Sequence, residues 1–237
     1  MPRFFITPPE GEIVTITGEN AVHISRSLRM RPGERVTLSD GEGFDYEAEL
    51  LSTGSEVTAR ITAKNLSTTE PKAKITLYQA LPKGDKMELI IQKATELGVT
   101  AIRPILTAFC VSRPDEKSMK KKLERWQKIA AEAAGQSGRG IIPKVLPLLT
   151  LKEAAEEMPE KTVFFYEKGG KRLVEIISPD DAELGIIVGS EGGFSPEEAA
   201  YLVEKGVHTA TLGARILRCE TAPLAGLSVI LSLTGDI

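Results

Sequence analysis

The sequence predicts an α/β protein with a smaller, strand-rich domain ahead of it, and three observations carry that prediction. From residue 71 onward, apolar strand-like runs alternate with amphipathic helical ones. Up to residue 70 the apolar runs are short and separated by Gly, Pro and Ser breaks, the spacing of a small β-barrel. Charge is also segregated: residues 1–70 hold 7 Lys and Arg against 11 Asp and Glu, residues 71–149 hold 15 against 7, and residues 150–237 hold 8 against 15. The basic middle third points to a polyanionic partner, since clustered Lys and Arg supply affinity for phosphate.

In the first 70 residues the strand runs are RFFI, EIVTI, ERVTLSD, FDYEAELL and EVTARITAKNL. One helical run, NAVHISRSLRM, interrupts them, with His23, Arg26 and Ser27 on one face and Val22 and Leu28 facing the other way. Arg26, Arg29, Arg31 and Arg35 meet a single opposing charge, Glu34, so this face is either an ordinary wet helix surface or a small RNA-binding patch. The polar, Pro-bearing LSTTEPKAK (66–74) reads as a linker, which places the domains at 1–70 and 71–237.

The second domain opens with the strand KITLYQAL. The helix KMELIIQKATELGV follows, with Met87, Ile90, Ile91, Ala94 and Leu97 on one stripe and Gly98 at its stop; then comes the strand AIRPIL. A basic helix runs from about Ser118 to Ala134, either a solvated face or an RNA-facing one. Further strands are expected at 162–167, 183–191 and 208–213. After the second of these, GSEGG leads into a helix with Ser195 as N-cap, Pro196 at its first position and Glu198 at its third, the arrangement of a capping box. Glycines at 189, 192 and 193 mark either a tight turn that needs only Gly or a place where backbone approaches a ligand at the carboxyl end of a strand, where open α/β sheets bind small molecules.

The stretch GARILRCETAP sets Arg215, Arg218 and Glu220 beside a run, Ala222 to Leu233, that carries no charge. A helix apolar nearly all round belongs in a core or a subunit interface. Arg218 and Glu220 therefore need partners, either each other or a ligand.

Other classes lose support. GxGxxG, GxxxxGK[ST], GxSxG and HExxH are all absent, as is the spacing of a metal-ligand cluster among two histidines and two distant cysteines, Cys110 and Cys219. Neither a bilayer-spanning run nor the apolar core of a signal peptide is present, so the expectation is a cytoplasmic protein that takes no metal and no membrane.

Five stretches, HISRSLRMRPGE, LPKGDKMELIIQKATELGV, RWQKIAAEAAGQSGRGIIP, GSEGGFSPEE and LGARILRCETAPLAGL, together resemble the SPOUT-class 16S ribosomal RNA (uracil-N3)-methyltransferases of the RsmE type. Ser190, where the family often has Pro, and Cys219, where Thr is frequent, are mild departures. The resemblance implies a PUA-like barrel at 1–70, an α/β trefoil-knot methyltransferase domain at 71–237 and a homodimer. It implies S-adenosyl-L-methionine as cofactor, held by the loop at about 167–170 and by Gly189, Glu191, Gly192, Leu212, Gly213, Ile216, Leu217, Arg218 and Thr221. Arg218 and Glu220 become the catalytic pair, and His23, Arg26, Arg29, Arg31, Lys93 and Arg139 the residues that meet 16S rRNA in the small ribosomal subunit. Competing readings are a knotted methyltransferase acting on a ribose 2′-OH or guanine N1, and a non-catalytic RNA-binding assembly factor.

Overall fold

A computed structural model describes all residues from Met1 to Ile237. The chain divides into two compact units, Met1–Glu70 with Ala134–Ile142, and Pro71–Ala133 with Pro143–Ile237.

The first unit contains β1 (Arg3–Phe5), β2 (Ile13–Ile16), α1 (Gly18–Val22), β3 (Arg35–Ser39), β4 (Phe44–Ser52) and β5 (Val57–Leu66). Its sheet runs β1-β3-β4-β5-β2, with β1 parallel to β3 and the other pairs antiparallel. Period-two alternation sends Val36, Leu38, Tyr46, Ala48, Leu50, Val57 and Ala59 into one core. Register irregularities in β4 at Glu47/Ala48 and Leu50/Ser52 curl the sheet around it.

The helical interruption differs from its sequence expectation. α1 passes into a π turn at His23–Ser27, in which the Leu28 N–H donates to the His23 carbonyl at 2.9 Å. The wider winding shifts the phase, so Ala21 and Ile24 enter the core, while Val22 and Leu28, expected on the buried side, are 45% and 42% exposed.

Residues 134–142 also depart from a single cut after residue 70. Gly43 N–H and Ser39 Oγ both donate to the Gly140 carbonyl at 3.2 Å, and Ile142 N–H donates to the Gly41 carbonyl at 3.1 Å. A buried Arg139 pairs with Glu70 at 2.6 Å, and the same carboxylate accepts the Gly140 and Ile141 N–H groups. No local pattern announces a pair separated by that much chain.

The second unit is a parallel sheet with helices. In chain order it has β6 (Lys74–Ala80), α2 (Lys86–Leu97), β7 (Ala101–Leu106), α3 (Glu116–Ser137, its last turn counted with the first unit), β8 (Lys144–Val145), β9 (Leu149–Thr150), α4 (Leu151–Ala155) and β10 (Thr162–Phe165). After these come β11 (Lys171–Arg172), β12 (Glu183–Val188), α5 (Pro196–Glu204), β13 (His208–Thr211) and α6 (Ala222–Leu233). The strand order is β11-β13-β10-β12-β6-β7-β8, with β9 also on β7. Central strands covered on both faces read as unbroken apolar runs, as Leu184 to Val188 of β12 do here; in the neighbouring β6, Ile75 and Leu77 are buried in the same core. Short elements escaped the sequence reading, among them α4, although Thr150 and Glu153 form a capping box.

One connection is unusual. β13 comes late in the chain yet lies between β10 and β11, which are already joined by residues 166–170. Phe165 and Lys171 both register with Ala210, so the link spans two strand spacings, about 9.6 Å, across β13. Gly170, at φ +153°, lies so close that a Cβ would stand 2.8 Å from the Ala210 backbone. We expect Gly170→Ala to destabilise this unit by at least about 2 kcal/mol, through steric and backbone strain, as read from its denaturant midpoint. An unchanged midpoint would mean the link is not pressed against the strand.

Candidate functional site

The carboxyl ends of three adjacent strands, β13, β10 and β12, open onto one cavity of about 500 Å³. Its walls are Lys86 at the start of α2 and the three strand ends with their following loops: Phe165 at the end of β10 with Tyr166 and Glu167 after it; Gly189 to Phe194 after β12; Leu212 to Cys219 after β13. Parallel strands aim their following loops to one side, which is why the chain assembles a site here from stretches far apart in sequence.

The glycines shape this wall. Ser190 and Gly193 close a tight turn, with the Gly193 N–H on the Ser190 carbonyl at 3.0 Å and φ +69° at Gly193. Gly192 lies under Phe109, which a Cβ would meet at 2.7 Å. Beneath the turn, buried Gln79 of β6 donates to the Gly189 carbonyl at 3.4 Å. The Ser190 hydroxyl is buried with no hydrogen-bond partner. At the other end of the turn Ser195 and Glu198 form the capping box that starts α5, and Glu198 also accepts the Ala108 N–H at 2.7 Å.

The electrostatics centre on a residue to which the sequence reading gave no role. Lys86, the first residue of α2, reaches Glu191 at 3.0 Å and Glu220 at 3.2 Å. These carboxylates hold its ammonium well above the usual lysine range. Burial tends to raise the Glu220 carboxyl, but hydrogen bonds from its own N–H, the Cys219 thiol and Lys86 bring it below its ordinary value. Burial, aided by the hydrogen bond to Glu220, pushes the Cys219 thiol up to about 12. A weak signal was present in the sequence: a lysine at a helix start opposes the helix dipole, so nearby carboxylates stabilise it there.

Glu220 is thus bonded to Lys86 and Cys219, not to Arg218. Arg218 is exposed on the cavity wall and forms no ion pair. Gly189, Glu191, Gly192, Leu212, Gly213, Ile216 and Leu217 line the same cavity. Thr221 does not: it is exposed and stands as the N-cap of α6. Of the loop expected at 167–170, Glu167 is on the wall together with Phe165 and Tyr166, while the rest of it crosses β13.

Among the residues expected to meet RNA, His23, Arg26, Arg29 and Arg31 are exposed in the first unit, and Arg29 adopts φ +52°. His23 packs edge-on to Phe4 at 5.9 Å. In the second unit Lys93 is paired with Glu96 on its own helix at 2.8 Å. Arg139 corrects the expectation: it is 4% exposed and its guanidinium is taken up by Glu70, so it holds the fold of the first unit instead of facing a ligand.

A family model described as an RNA methyltransferase domain matches residues 68–231, and one described as an RNA methyltransferase PUA domain matches residues 16–62. The chain belongs to this RNA methyltransferase family. A relative from Bacillus subtilis, ribosomal RNA small subunit methyltransferase E, is 38% identical over 97% of this chain and 96% of its own. The crystal structure of a ribosomal RNA small subunit methyltransferase E from Neisseria gonorrhoeae, bound to S-adenosyl methionine, superposes with a TM-score of 0.90 at 35% identity, covering 98% of each chain. A methyltransferase from Legionella pneumophila, in complex with SAM, matches at 0.88 and 31% identity over 97% and 96% of the two chains. The curled first unit of this methyltransferase is therefore its PUA-like domain, and the parallel sheet its SPOUT domain.

The raised thiol gives a direct check. A group held at about 12 against an ordinary value of 9.0 carries about a thousandfold less thiolate at pH 8, so Cys219 should resist iodoacetamide there. Its alkylation should accelerate only as pH climbs toward 12. Rapid labelling at pH 8 in the folded protein would contradict this.

Proposed function

We propose that this methyltransferase transfers the methyl group of S-adenosylmethionine to N3 of a uridine in 16S rRNA of the small ribosomal subunit, giving 3-methyluridine. The observation that carries the reading is the three-loop cavity with a free arginine, Arg218, on its wall.

The residues fit the cofactor. A volume of about 500 Å³ suits a ligand of that size, and Val188, Leu212, Ile216 and Leu217 offer an apolar lining beside backbone polar groups. The unpartnered Ser190 hydroxyl is a further candidate contact. When bound, S-adenosylmethionine supplies an electrophilic methyl group on a sulfonium. Attack requires uracil N3 to lose its proton, which spreads negative charge onto O2 and O4. The Arg218 guanidinium, unclaimed by any carboxylate, stabilises that charge and so lowers the pKa of N3, and the proton leaves to solvent at the exposed cavity mouth. Glu220 is already bonded to Lys86 and Cys219, and we assign it to holding the loop.

N3 lies on the Watson–Crick edge, so the target base must be unpaired or flipped out while the protein grips the surrounding backbone. Exposed Arg26, Arg29 and Arg31 supply that grip from the PUA-like domain. The open side of α6, where Val229 is 43% exposed between the half-buried Leu224, Ala225 and Leu233, supports a homodimer, since an apolar face of that kind favours a second copy. A substrate on the ribosomal subunit places the enzyme in the cytoplasm.

Labelled methyl should pass from S-adenosylmethionine to small subunits lacking this modification, and nucleoside analysis should yield 3-methyluridine. A 2′-O-methylated nucleoside or 1-methylguanosine would overturn the substrate assignment. Arg218→Ala should lower kcat by about 100- to 1,000-fold while S-adenosylhomocysteine binding changes little. Arg26→Ala with Arg29→Ala should weaken RNA binding and reduce the slope of log affinity against log salt by about two. A parallel salt dependence would remove the PUA-like domain from the RNA interface.

A further inference from the structure

Lys86 makes contacts that span two of the three loops of the cavity. Its ammonium lies 3.0 Å from Glu191, 3.2 Å from Glu220 and 3.8 Å from the Cys219 sulfur. The backbone N–H of Lys83 adds a tie from the same lead-in segment to Glu191 at 3.1 Å. Glu191 belongs to the turn after β12, and Glu220 to the loop after β13.

The placement opposes local preference. A cation at the first residue of a helix meets the positive end of the helix dipole, and the four-carbon stem of lysine loses rotamer freedom when it is fixed. The side chain is 30% exposed, so it is not there to fill the core. A single surface pair contributes little to stability. One cation shared by carboxylates from two loops does something a single pair does not: neither loop can swing out alone without leaving its carboxylate unpaired.

We propose that Lys86 is a positioning residue that latches the Ser190–Gly193 turn to the Gly213–Thr221 loop and so fixes the width of the methyl-donor cleft. The proposal rests on the reading of this cavity as the donor site. Lys86 borders the cavity, and in this role its ammonium is engaged by the two carboxylates. It acts by holding Glu191 and Glu220 together, and by engaging Glu220 it leaves Arg218 free to face the substrate.

The test uses the full-length protein with Lys86→Met, Lys86→Arg, Glu220→Gln and the double variant Lys86→Met with Glu220→Gln. Calorimetric binding of S-adenosylhomocysteine is measured beside kcat and KM for the donor on small subunits, with unfolding midpoints recorded for each variant. Lys86→Met should weaken S-adenosylhomocysteine about tenfold and raise the donor KM by a similar factor, with kcat within about threefold of wild type. Lys86→Arg should restore most of the affinity, and the double variant should bind no more weakly than the weaker single one. Unchanged affinity in Lys86→Met would overturn the latch, as would losses that add in the double variant. So would a loss that Lys86→Arg does not restore and that follows a fall in the unfolding midpoint. Failure of the wild-type protein to bind S-adenosylhomocysteine would instead overturn the donor-site reading, and the latch with it.

Discussion

The close passage of residues 166–170 over β13 is the constraint on which the site depends. Because β13 is inserted between two strands that are already joined, the link has to cross it, and only a residue without Cβ fits at Gly170 against the Ala210 backbone. The same insertion sets the carboxyl ends of β10, β12 and β13 side by side. Threading of this kind is avoided by almost all folds. Here it concentrates three loops from distant parts of the chain around one cavity, and a close fit of α6 follows: a side chain at Gly226 would run into the Phe165 ring.

Charge is then allocated by geometry. Lys86 engages Glu191 and Glu220, Cys219 donates to Glu220, and Arg218 is left on the wall without a carboxylate. An arginine already bound to Glu220 would have spent its positive charge on the protein. In the PUA-like domain the opposite economy holds for Arg139, whose charge is consumed by Glu70 and by the packing of residues 134–142. The two arginines thus differ because one meets a carboxylate in the fold and the other does not.

The regular elements were readable wherever a local rule governs them. The stripe of Met87, Ile90, Ile91 and Ala94 is buried in α2 as its period demands, and Gly98 ends the helix at φ +110°. Ser195, Pro196 and Glu198 start α5 in the expected register, and the uncharged run from Ala222 to Leu233 is α6. The π turn at His23–Ser27 is not readable, because the backbone there winds more widely than the period of 3.6 that sequence spacing reports, and that period puts Val22 and Leu28 on the wrong side. Two-residue strands such as β8 and β11 are too short to carry any period.

By itself the sequence determined the α/β class, the strand-rich leading segment, the glycine-rich turn after β12 and the family to which the chain belongs, since each of these is written in neighbouring residues or in motifs read in order. Partners were decided only by the tertiary structure. Glu220 lies two positions from Arg218 yet bonds to Lys86, which is 134 positions away, and Arg139 reaches back to Glu70. A charged side chain is satisfied by whatever the fold brings within about 3 Å of it, and that distance is a property of the folded backbone, which proximity along the chain does not encode.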